Sequence, residues 1–70
     1  MEIFNNDNGN IYYIIERNDE IAVMIPPLSP TKFIVATGVK KTNKGSWDQG
    51  YYYDNIIDAV KKFKKLIDNR

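Results

Sequence analysis

The sequence predicts an α+β domain. An antiparallel sheet of three or four strands carries one C-terminal amphipathic helix across one face, in the order β-β-β-β-α. Three observations carry this. Ile56, Val60, Phe63 and Ile67 recur at spacings of 4, 3 and 4, which is the period of a helix with one apolar stripe. Upstream, runs of β-branched and aromatic residues alternate with clusters of Asn, Asp, Gly and Pro, the chemistry of strands and turns. The chain has 70 residues, 43% of them apolar. That suffices for one modest core, so residues 1–70 form a single domain.

The elements follow in order. Residues 2–5 are a short extended segment. Asn5-Asn6-Asp7-Asn8-Gly9-Asn10 is turn chemistry, with Asn8-Gly9 a strong hairpin dipeptide. Residues 11–17 read as a strand and Asn18-Asp19-Glu20 as a tight turn. The apolar run 21–25 suits a buried central strand. Pro26, Pro27 and Pro30 end it, because proline cannot donate to a ladder. Residues 32–40 read as the next strand. One of its faces carries Phe33, Val35, Thr37 and Val39, the other Ile34, Ala36 and Gly38. The smaller residues of the second face predict that it lies under the helix. Residues 41–46 read as a turn and 47–53 as a last strand, where Gly50 signals a bulge or a close backbone approach. The helix covers about 55–68. Asp54 or Asn55 caps it, and Asn55 with Asp58 resembles a capping box. One helix covers one sheet face, so the other is expected to be polar or to carry exposed aromatics.

Composition excludes several function classes. There is no Cys and no His, so no disulfide framework, thiolate metal site or histidine base. Ser29 and Ser46 both fall in loops with no base placed beside them. The acids Asp7, Asp19, Glu20 and Asp48 sit in or beside turns. Asp7-Asn8-Gly9-Asn10 lacks the glutamate that closes a calcium loop. No Gly-rich turn leads into the helix as a phosphate loop would. We therefore expect no catalysis, metal or cofactor. No apolar run reaches the roughly 20 residues of a membrane span, and the N-terminus lacks a signal-peptide pattern. A cytoplasmic location without membrane contact is expected.

Charge divides along the chain, although the net charge is +1. Residues 1–30 hold one Arg against five acids, a net −4, and residues 31–70 hold nine Lys or Arg against four acids, a net +5. This polarity can steer a charged partner. The abundance of Asn, Ile, Lys and Tyr is that of an AT-rich coding sequence, which points to a low-GC bacterium or its phages.

Tyr12, Tyr13, Trp47, Tyr51, Tyr52 and Tyr53 are six of the nine aromatics, gathered on two segments. Alternation along a strand sends Tyr51 and Tyr53 one way and Tyr52 the other. Three readings stay open: cross-strand packing, a protein-binding hot spot, and a platform for single-stranded nucleic acid. A net charge near zero weighs against the last.

The run Phe33-Ile34-Val35-Ala36, a polar turn, then Trp47-Asp48-Gln49-Gly50-Tyr51-Tyr52, leads into a helix with Ala59 and Phe63. It resembles the small domains with a Trp-x-x-Gly-x-Tyr strand and an Ala-x-x-x-Phe helix found with polyvalent proteins of phages and conjugative elements. The likeness covers about half the chain. It implies a mobile-element protein acting against host defence or on host nucleic-acid machinery. Anti-CRISPR proteins are similar in size, charge and build. The function so implied is steric inhibition of a host protein, such as a CRISPR effector or nuclease, in the host bacterial cytoplasm. Trp47, Tyr51 and Tyr52 would be its anchors, with Lys61, Lys62, Lys64 and Lys65 or the acidic turns as rim charges. The alternative is a small nucleic-acid-binding or regulatory protein using an aromatic sheet face. A homodimer through an open sheet face or edge is a third possibility.

Overall fold

The computed structural model describes residues 2–69. Its elements are β1 (Glu2–Asn6), β2 (Ile11–Asn18), β3 (Ile21–Ile25), β4 (Phe33–Thr37), β5 (Lys44–Gly45), β6 (Gln49–Tyr53) and α1 (Ile56–Asp68). The α+β class and the C-terminal helix stand. The sheet differs from the expected one: it is a single mixed sheet of six strands, in the order β5-β1-β2-β3-β4-β6. Five elements were expected where six strands form, because the 41–46 turn contains β5. That strand pairs parallel to β1, with Asn5 opposite Lys44 and Asn6 opposite Gly45. All other pairs are antiparallel.

Local chemistry explains the meander β1 to β4. In the first hairpin, Asn8 N–H donates to Asn6 Oδ1 and Asn10 N–H to Asn8 Oδ1, both at 2.9 Å. Gly9 takes the left-handed backbone at φ +90°. In the second hairpin Asp19 does so at φ +55°. After β4, Gly38 turns the chain at φ +73°, and the Asp48 carboxyl occupies the space that a Cβ would fill. The expected strand 32–40 therefore ends at Thr37. The expected strand 47–53 begins at Gln49 for a related reason: Asp48 forms a bend whose N–H donates to the Thr37 carbonyl at 2.8 Å, and Trp47 lies in the irregular stretch before it. The helix starts at Ile56, with Asn55 as its N-cap accepting from Asp58 N–H at 2.9 Å. Half of the expected box forms. The Asp58 carboxylate meets the Asn55 side-chain amide at 3.0 Å.

β5 and β6 lie in one segment, residues 44–53, whose two ends pair with β1 and β4. This segment joins the outer strands of the meander and curls the sheet. The curl corrects the expectation that one face must stay polar or display aromatics. Phe4, Tyr12, Ile14, Ala22, Met24, Ile34, Ala36 and Val39 bury one another on the inner face. Trp47 packs against them, 5.0 Å from Tyr12 edge-on and 5.7 Å from Phe4 between ring centroids.

The helix lies on the other face, against Ile21, Val23 and Val35, to which it adds Ala59 and Phe63. The helix side of β4 is thus Phe33 and Val35. The expected side, Ile34 and Ala36, faces inward, and Gly38 lies beyond the strand. Ala22, Ala36 and Gly50 are consecutive partners across β3, β4 and β6. This small-residue row makes room for the Trp47 indole, whose Nε1 would stand 3.0 Å from a Cβ at Gly50. The close approach expected at Gly50 is therefore that of a ring.

A bulge in β2 completes the pattern. Ile14 faces Met24 and Glu16 faces Val23, leaving Ile15 as the extra residue. The bulge sends Ile15 and Glu16 to the helix side and returns Arg17, opposite Ala22, to the inner side. There the Arg17 guanidinium donates to the carbonyls of Asp19 and Val39, at 3.0 and 3.1 Å, and to Asn43 Oδ1. Its Nε lies 3.4 Å from a Glu2 carboxylate oxygen, within ion-pair range. Asn43 Nδ2 donates to the other oxygen at 3.1 Å. The mouth of the inner core is thus tied by one cation across β1, β2 and the 38–43 loop.

Candidate functional site

The aromatic and lysine residues singled out in the sequence do not share one surface. Trp47 belongs to the inner core. Tyr51 and Tyr53 pack under the helix, and Lys62 Nζ stands 4.2 Å above the Tyr51 ring centroid. This cation–π contact joins the helix to β6. Tyr52 points to the inner side, opposite Ile34, and is 59% exposed at the rim. Tyr13 is exposed on the helix side of the sheet, so the two open tyrosines lie on opposite faces. Lys61, Lys64 and Lys65 are exposed on α1. The structure brings together Tyr51 and Lys62 and separates Tyr52 from the lysines.

A different surface gathers what remains apolar and uncovered. The helix crosses β3, β4 and β6. The same face of β1 and β2 carries Ile3, Ile11 and Tyr13, each more than two-fifths exposed. Ile3, Tyr13 and Ile25 are successive cross-strand partners. Ile15 follows Tyr13 along β2 and meets the helix. Between them runs a groove of about 470 Å³ lined by Ile15, Val23, Ile56, Val60, Phe63 and Ile67, with Glu16 on the sheet side and Lys64 on the helix side. Ile57, on the first turn of α1, is 65% exposed. At the far end, Ile25 and Pro26 line a shallow hollow with Leu28, which is fully exposed at φ +39°. Exposed apolar side chains beside an apolar groove are a feature that marks binding surfaces on small proteins.

Sequence reasoning missed this shelf, although a signal for it exists. Residues 11–15 are apolar on both faces, and strands lie about 4.8 Å apart while a helix is about 10 Å wide. One helix therefore covers two or three strands and cannot reach across four or more. Among the described residues no three acidic side chains converge as a metal site would require. Among the described residues no helix is long and apolar enough to cross a membrane. Comparison with protein-family models, with curated proteins and with solved structures finds no match.

Proposed function

We propose that this chain is a small phage-type binding protein that sterically inhibits a host defence or nucleic-acid-processing protein, as anti-CRISPR proteins do. It acts by occupying a partner's surface and performs no chemistry of its own. The observation that carries this reading is the exposure of Ile3, Ile11, Tyr13 and Ile57 beside the apolar groove under the helix. The likeness of residues 33–67 to mobile-element domains supports the host-directed role. The dispersal of the aromatics favours a protein partner over single-stranded nucleic acid, which needs bases stacked in succession along one face.

The test is capture of a partner by the tagged chain from a low-GC bacterial lysate, with and without nuclease. One protein retained after nuclease is expected, at stoichiometric yield, with its activity falling as the chain is added. Binding that vanishes with nuclease moves the function to nucleic-acid binding.

A further inference from the structure

We infer that the shelf formed by β1 and β2 beside α1 binds one amphipathic helix of a partner protein, with acidic residues on the edge that faces α1. This rests on the reading of the chain as a protein-binding domain and adds the site and the kind of element it takes.

The geometry selects a helix. The shelf is the face of the sheet and not its edge: β2 is paired on both sides, with β1 and β3, while β5 pairs with Asn5 and Asn6 of β1. A strand laid on that face would find no backbone partners, whereas a helix brings its own hydrogen bonds complete. Two strands span about the width of one helix, and packed helices lie about 8–10 Å apart. A helix laid on Ile3 and Tyr13 would thus run beside α1 and close the groove over Ile15 and Ile56. This is the helix-in-groove mode, read by anchors at i, i+3, i+4 and i+7.

Charge selects its edge. The neighbouring flank and outer side of α1 carry Lys61, Lys64 and Lys65, against Asp58 and Asp68. An acid on the incoming helix would face Lys64, the one of these lysines that lines the groove, with Glu16 on the groove's sheet side. A second copy of this chain does not supply the helix, because the apolar stripe of α1 is engaged on its own sheet and its outer side is charged.

The experiment uses the full chain labelled for amide NMR and an 18-residue synthetic peptide. The peptide carries a leucine stripe at helical spacing, glutamates along one flank and glutamines elsewhere. A twin has lysines in place of the glutamates. Millimolar peptide is expected to shift the amides of Ile3, Tyr13, Ile15, Ile57 and Lys64. The glutamate peptide should bind about two- to fivefold more tightly than its twin, as one or two exposed ion pairs allow. Lys64→Glu should reverse that preference. The inference is overturned if the shifts centre on Tyr52 or Leu28, if the twins bind alike, or if neither binds. Concentration-dependent shifts of the shelf without peptide would assign it to a second copy and overturn it too. Nuclease-resistant capture that survives the double variant Tyr13→Thr and Ile57→Gln would remove this site and leave the proposed function standing.

Discussion

The two faces of the sheet solve one problem in different ways. On the inner face, the sheet buries its own apolar residues by curling, and the 44–53 segment brings Trp47 in to fill the space. On the outer face, burial is delegated to one helix, which is too narrow for the sheet. The inner solution is closed: Phe4, Ala22, Met24, Ala36 and Val39 are inaccessible to solvent. The outer solution has a remainder, and it is apolar. A domain of this size gains its stability where packing is complete and keeps its binding capacity where packing stops.

The inner face should be the easier one to break. Phe4→Ala removes a fully buried ring that touches Trp47. Such truncations cost about 3–5 kcal/mol. A 70-residue domain holds only about 4–10 kcal/mol in total. A urea melt should therefore show a variant that is largely unfolded or close to it. Gly50→Ala sharpens the point with a single methyl. Its Cβ would stand 3.0 Å from Trp47 Nε1 and from the Tyr52 hydroxyl. The tyrosine is exposed and can swing away, but the indole is held by Phe4 and Tyr12. Overpacking costs about 1–3 kcal/mol, and the loss of glycine's freedom in the unfolded chain returns about 0.4–1 kcal/mol. The net loss should be near 1 kcal/mol, accompanied by a change in tryptophan fluorescence. An unchanged spectrum would mean that Gly50 does not border the indole.

Legibility follows the same division. The helix was plain in the sequence because its stripe, its Asn55 cap and its length agree. The first hairpin was plain because asparagine side chains build its loop. The closure was not. Lys44-Gly45 has no strand chemistry of its own and pairs because β1 offers an open edge. The β2 bulge leaves no mark either, since Ile15 reads as one more apolar residue in a run. Yet the bulge decides that Arg17 turns inward and Glu16 outward. Ile34, Ala36 and Gly38 read as a helix-facing side because small residues admit a helix backbone. They admit an indole equally well, and only the tertiary path of residues 44–48 selects between the two. For the candidate site, composition pointed to aromatics and lysines. The seven candidate residues divide among the inner core, the helix interface and open solvent, because residue type does not report which face a position takes.

The outer face should respond in smaller steps. Asn55→Ala removes the cap that accepts from Asp58 N–H, at a cost of about 1 kcal/mol. The loss should be read in helix circular dichroism and in the melt, with the Trp47 fluorescence of the folded state unchanged. A change in that fluorescence would show that the helix supports the inner core as well.

The smallest effect on stability is expected where the effect on binding is largest. Tyr13→Thr puts a β-branched residue on the strand, and Ile57→Gln keeps a residue that suits a helix. Both side chains are about half exposed or more, so neither truncation leaves a cavity. Each should change the urea midpoint by no more than about 0.5 kcal/mol equivalent. If the shelf is where the chain meets its partner, the pair should abolish nuclease-resistant capture, because anchors at the centre of an interface are each worth about 2 kcal/mol or more. The two readings separate cleanly on one protein sample. Capture lost with the melt intact makes the shelf a binding surface. A melt lowered by about 2 kcal/mol would instead make Tyr13 and Ile57 part of the core, and the outer face would then be as closed as the inner one.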